Sequence, residues 1–141
     1  MTHRISIVLA GAVAGFTVSA QAHHSWSVDY DTDQSIVVEG VVTEFLGLNP
    51  HSALLMDVEN PAGETEEWTV EYGRGFRDAA GQEYEPQELK PGDILTVTGQ
   101  PHRKADTHHV RLRSVVREQD GLALEPRRRN RNGRGRRNRD R

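Results

Sequence analysis

A glycine interrupts a long strand-forming run near the start of the chain. Between Ser35 and Phe45, Ile36, Val38, Val41 and Phe45 mix with Glu39, Thr43 and Glu44 in a β-rich pattern, and Gly40 breaks it. A glycine inside such a run predicts a bulge or a sharp bend in a long first strand. A bent first strand already narrows the architectures open to the chain. The order of the remaining segments narrows them further.

Asn49-Pro50 signals a turn, and Ala53–Val58 reads as a second strand. Asn60-Pro61-Ala62-Gly63 is a hairpin-type turn into a third strand over Glu67–Tyr72. Gly75–Gly81 has room for a turn or two of helix. Pro91-Gly92-Asp93 opens a fourth strand over Ile94–Thr98, where Gly99 again suits a curved sheet. Val110–Val116 is a fifth, with Leu112 on the opposite side of the pleat from Arg111 and Arg113. Gly121–Leu124 adds a short edge. Three strands, a short helix and two strands is the element order of the oligonucleotide/oligosaccharide-binding (OB) barrel, a five-stranded Greek key. The predicted fold class is therefore all-β, a small five-stranded OB-like barrel with one short helix; a small open sandwich is the competing architecture. Closure would remove the free edges that a small exported sheet otherwise presents.

The two ends differ in kind from this body. Met1-Thr-His-Arg4 is a short positive segment, Ile5–Val18 is apolar, and Ala20-Gln21-Ala22 is a small-residue cleavage signature. Residues 1–22 are thus expected to be a Sec-type export signal, directing the protein to a periplasm or the outside. The apolar stretch is too short to span a bilayer comfortably, and no transmembrane segment is expected in the mature chain. Cleavage after Ala22 leaves 119 of the 141 residues, one small domain, with His23 as the new terminus. The expected division is a signal at 1–22, an arm at 23–34, the barrel at 35–124 and a tail at 125–141.

Charge separates body from tail. Residues 23–124 hold eight Lys or Arg against nineteen Asp or Glu, a balance of −11. Residues 125–141 hold nine arginines against Glu125 and Asp140, a balance of +7. The arginines are Arg127, Arg128, Arg129, Arg131, Arg134, Arg136, Arg137, Arg139 and Arg141. The run from Arg127 onwards has no apolar residue, so it is expected to be disordered. It is also the only segment suited to a polyanion, such as an anionic envelope surface. The acidic body argues against a sequence-specific nucleic-acid binder, since phosphate affinity comes mainly from Lys and Arg. There is no cysteine, which excludes a disulfide scaffold, a zinc ribbon and a thiol nucleophile. Aromatic content of 6% and a mean hydropathy of −0.71 leave only a modest core.

Six segments occur in succession: His23-His24-Ser25-Trp26, Glu39-Gly40-Val41-Val42-Thr43, Asn49-Pro50-His51-Ser52, Trp68-Thr69-Val70-Glu71, Leu89-Lys90-Pro91-Gly92-Asp93 and Arg113-Ser114-Val115. In these the chain resembles the exported bacterial family known as domain of unknown function 6152, over roughly residues 23–124. The His-His-Ser start and the Asn-Pro-His turn are the most specific parts. One position departs: the family has a Trp two residues before the Asn of Asn-Pro-His, and this chain has Gly47. The resemblance implies an exported small β domain and supplies no established activity.

The chemistry with most support is late-transition-metal binding, copper above all. A terminal histidine offers its α-amine and its imidazole Nδ1, which together close a chelate ring on one metal. Further imidazoles complete the tetragonal nitrogen set that Cu(II) prefers. His23, His24 and His51 are the candidate ligands, provided the arm folds back to the turn carrying His51. The resemblance adds that the two histidine motifs occur together. The alternative is a frayed, exposed terminus with His51 in a turn, and a non-catalytic interaction domain that docks through its sheet face or its tail.

Other constellations point nowhere. His108 and His109 would face opposite sides of a strand, and with His102 they read as surface histidines. Asp29-Tyr30-Asp31-Thr32-Asp33 imitates a calcium loop, but Gln34 and Gly40 occupy its anchor positions, so a solvated acidic arm is expected. No G-x-S-x-G occurs, Ser25 and Ser52 lack an orienting third group, and Glu66-Glu67 and Glu83/Glu85 read as hairpin and loop charges. The chain is therefore not expected to be an enzyme. Trp26 and Trp68 read as core or rim packing.

Overall fold

The structure is a computed structural model that describes residues 26–48 and 51–127. The predicted signal, His23, His24, the Asn49-Pro50 turn and every tail arginine but Arg127 lie outside the described residues. A one-turn helix, α1 (Trp26–Asp29), precedes β1 (Ile36–Leu46), β2 (Ser52–Glu59) and β3 (Thr65–Tyr72). Then come β4 (Phe76–Arg77), β5 (Glu83–Tyr84), a 3₁₀ turn at Pro86–Glu88, β6 (Ile94–Pro101), β7 (His109–Arg117) and β8 (Leu122–Pro126).

β1 pairs antiparallel with both β2 and β6, β2 with β3, and β6 with β7. A parallel pairing of β3 with β7, Thr69–Glu71 against His109–Arg111, closes the ring. That is a closed five-stranded barrel in the OB order. Alternation along the strands turns Val38, Val42, Leu54, Met56, Val70, Tyr72, Leu95, Val97, Val110 and Leu112 inward. Val115 of β7 joins them, and Phe76, Leu89 and Leu124 complete the core from the segments outside the ring. The Tyr72 hydroxyl donates to the carbonyl of Pro86 at 3.0 Å, so this buried polar tip keeps a partner.

The two glycines read from the sequence sit where strands crowd each other. A Cβ on Gly40 would lie 2.4 Å from the Asp57 carbonyl oxygen, and one on Gly99 would lie 2.5 Å from that of Arg111. Gly40 is therefore a close-approach position. The bulge of β1 falls just after it, at the register shift between Val42 and Glu44.

One expectation needs correction. Gly75–Gly81 forms no helix: Gly75 takes φ +149°, and Phe76–Arg77 is a short strand against β5 and β8. The side chain of Phe76 is core, which an exposed helical turn could not supply. The short helix lies instead in the arm, at Trp26–Asp29. Residues 121–124 do add a short edge: Leu122, Ala123 and Leu124 pair with β7, and the strand continues to Glu125 and Pro126, which pair with β4. β8 runs through Pro126, and Arg127 follows it: its amide donates to the Gly75 carbonyl at 2.8 Å, and its Nη1 meets Glu83 Oε2 at 2.8 Å. β8 therefore extends two residues past Leu124. The first arginine of the tail is tied to it.

Candidate functional site

Ala53 of β2, Glu71 of β3, Arg111 of β7 and Gln100 of β6 stand side by side, joined by register pairs. They form one row across the outer surface of the barrel. The arm lies over that row. Asp31 N donates to the Pro101 carbonyl at 2.9 Å, and Arg103 N donates to the Asp29 carbonyl at 2.8 Å. Arg103 Nε donates to the Ser27 carbonyl at 3.0 Å, and Gln100 Nε2 to that of Thr32 at 3.0 Å. Tyr30, only 2% exposed, bridges to His102. A helix of one turn is far below the length that holds itself together in water, so these contacts are what fix it.

Rings gather under the arm. The Trp26 indole stacks on the His51 imidazole, with centroids 4.1 Å apart and 25° between planes. Trp26 and Tyr30 are 5.6 Å apart, Tyr30 and His102 5.4 Å, and His102 and His109 5.8 Å. The Arg111 guanidinium carbon sits 4.4 Å from the Trp26 ring centroid, a cation–π contact. Burial, and then the neighbouring Glu71 carboxylate, hold the Tyr30 hydroxyl well above the usual phenol range. Burial first, and Arg113 second, lower the affinity of Arg111 for its proton, with Tyr30 opposing. Arg111 Nη1 donates to Gln100 Oε1 at 3.2 Å, and no carboxylate among the described residues forms an ion pair with it.

Of the three expected metal ligands, His51 lies in this cluster, and His23 and His24 are outside the described residues. The described part of the arm, which starts at Trp26, lies against His51. Among the described residues no three His, Asp or Glu side chains group as a metal site. His102 Nδ1 accepts the Lys104 amide at 3.0 Å, which places the neutral ring's proton on Nε2 and removes it as a ready ligand. His108 is engaged elsewhere, stacked on Trp68 and 3.4 Å from Glu66. In the calcium-like arm, Asp31 Oδ1 accepts the Asp33 amide and Oδ2 accepts Gln34 Nε2. That carboxylate shapes the turn into β1.

Sequence reading did not single out Arg111, Gln100 or Tyr30 for the site, and it gave Trp26 only a packing role. Gly47 stands where the family has a Trp, and the ring beside His51 is Trp26, from the arm. The only available signal was that Trp26 directly follows the His-His-Ser start.

The sequence model described as "Family of unknown function (DUF6152)" matches residues 11–111. No curated protein and no solved structure matches the chain. No helix among the described residues is long and apolar enough to cross a membrane.

Proposed function

The chain belongs to the family of unknown function DUF6152, and on that premise we propose that it is an exported, non-catalytic β domain that binds copper at its mature N-terminus. One observation carries the reading: Trp26 stacks on His51. His24 and His23 precede Trp26 by two and three residues, so even an extended chain keeps them within about 7 and about 11 Å of it. After cleavage the arm would therefore keep the terminal amine and two imidazoles near a third. His23 would give its amine and Nδ1, and His24 and His51 further imidazoles, a nitrogen set suited to Cu(II). Residues 1–22 would act as the export signal that exposes the amine, and the arginines from Arg128 to Arg141 would attract an anionic envelope surface.

The interaction-domain reading also has an observation in its favour. Val37, Val41, Ile94 and Val116 are exposed apolar side chains on β1, β6 and β7, and Val41 pairs directly with Ile94. The Val41–Ile94 pair is a small exposed apolar patch that suits a docking face.

The two readings separate at the terminus. Native mass spectrometry of protein purified after export should give a chain starting at His23 with one copper. A competition titration should show Cu(II) binding weakened by a single Gly ahead of His23 and by His51→Ala, with His108→Ala unaffected. If the extended and wild-type proteins bind alike, the copper reading falls and the docking reading stands.

A further inference from the structure

We infer that Arg111 is a positioning residue of this site, acting through Trp26 to set the His51 imidazole. The inference rests on the copper reading and names the residue on which its geometry depends. α1 is a single turn and cannot fix its own first residue. The placement of Trp26 must therefore come from its neighbours, which are His51, Tyr30 and Arg111. His51 precedes β2, and Tyr30 belongs to the arm itself. Arg111 alone of the three is part of the closed barrel, in the parallel seam where Glu71 is its register partner.

The surroundings of Arg111 are arranged to hold its guanidinium over the indole. Gly99 lets β6 come close to the Arg111 backbone, since any Cβ there would strike the carbonyl oxygen at 2.5 Å. The register shift at Thr98/Gly99 then brings Gln100 opposite Arg111. Gln100 Oε1 takes one N–H of the guanidinium, while its amide nitrogen donates to Thr32 in the arm. Gln100 thus joins the arginine to the segment it supports. With no ion pair to a carboxylate among the described residues, the charge is left for the Trp26 face, where partial burial strengthens a cation–π contact. A positive side chain with this partner has no role in the core, which lies on the other side of β7.

The test is a double-mutant cycle on the full-length protein exported and processed in its host, read by Cu(II) competition titration. Arg111→Met should weaken Cu(II) binding about tenfold, the scale of one cation–π contact. Arg111→Lys keeps a cation and should retain most of the affinity. In the His51→Ala background Arg111→Met should cause no further loss, because its effect passes through His51. Metal-free NMR supplies a readout that stability alone would not move: the His51 ring protons, shifted by the Trp26 ring current, should return to unstacked positions in Arg111→Met. If that variant does not fold, Trp26→Leu interrupts the same relay and should give the same weakening. Unchanged affinity in Arg111→Met, or an equal loss in both backgrounds, overturns the inference while leaving the copper reading in place. A wild-type protein that takes up no copper overturns the copper reading, and this inference with it.

Discussion

Trp68 and His108 lie face to face, with ring centroids 5.1 Å apart and planes 10° from parallel, beside the seam that closes the barrel. Immediately next to them the Thr69 amide donates to the His108 carbonyl at 2.8 Å, and three register pairs later the parallel contact ends. Glu66 faces the same imidazole at 3.4 Å and is held from behind by Asn60 Nδ2 at 2.8 Å. Asn60 also closes the β2–β3 hairpin, its Oδ1 accepting the amides of Ala62 and Glu64.

This arrangement predicts an acid-side loss of stability. The Asn60 hydrogen bond, and secondarily His108, hold the Glu66 carboxyl below its ordinary value of 4.5. A carboxylate depressed in the folded state contributes fully above its unfolded value, and that contribution disappears as pH falls through the lower folded value. Glu66→Gln should therefore flatten the stability profile below about pH 4.5 relative to wild type, with little change in shape near neutrality. Urea denaturation midpoints across about pH 3 to 7 measure it. Asn60→Ala should cost only about 0.5 to 1 kcal/mol, since the hairpin amides it releases are exposed and take up water, and should also raise the Glu66 pKa in an NMR titration.

Gly99→Ala should be among the most damaging single substitutions. Its Cβ would meet the Arg111 carbonyl oxygen and Val110 Cγ2, both at 2.5 Å, and a backbone atom in a closed barrel has nowhere to go. Overpacking of this kind costs about 1 to 3 kcal/mol. Gly63→Ala is the contrast. Its φ of +80° strains a side chain, but nothing lies within 4 Å, so the loss should be smaller. Thermal melts of the two variants rank them.

The five barrel strands were legible because each carries a period-two or continuous apolar run bounded by Asn, Pro or Gly. Gly40 and Gly99 were legible as interruptions that bend a strand, but the carbonyls of Asp57 and Arg111 that crowd them come from other strands and leave no local mark. Phe76 misled because a Gly-Phe-Arg-Asp-Ala-Ala-Gly segment has no strand period, and only its tertiary partners Tyr84 and Pro126 make it β. The site was less legible still. His51 was found from its turn, yet its contact with Trp26 spans 25 residues and depends on how a non-periodic arm lies across four strands. Arg111 was seen only as an outward charge. Nothing local in Val110-Arg111-Leu112 says that its partner is an indole.

Two truncations separate the tail from the body. Ending the chain after Arg127 should leave the melting temperature nearly unchanged, since residues 128–141 contain no apolar side chain to bury. Ending it after Leu124 should lower the melting temperature, because it removes the Pro126 and Glu125 pairs with β4 and the Arg127–Glu83 contact. Both should bind anionic vesicles more weakly than the full chain. That difference should shrink as salt rises toward about 0.5 M, because screening weakens exposed charges. A tail removed without any loss of vesicle binding would rule out its proposed role.

Copper binding and removal should be visible in the fluorescence of one tryptophan. Trp26 lies against His51, so a paramagnetic Cu(II) held by that imidazole would sit close to the indole and quench it. Trp68 has its own partner, His108, outside the proposed ligand set. Titrating the mature protein with one equivalent of Cu(II) should therefore lower the Trp26 emission, and a strong chelator should restore it. Trp26→Phe should leave the remaining emission nearly indifferent to copper, while Trp68→Phe should leave a signal that copper quenches almost completely. Imidazoles and an α-amine bind metal only without their protons, so quenching should weaken as pH falls below about 6. Equal quenching of the two tryptophans, or quenching that survives His51→Ala undiminished, would place the metal away from the arm and remove His51 from the ligand set.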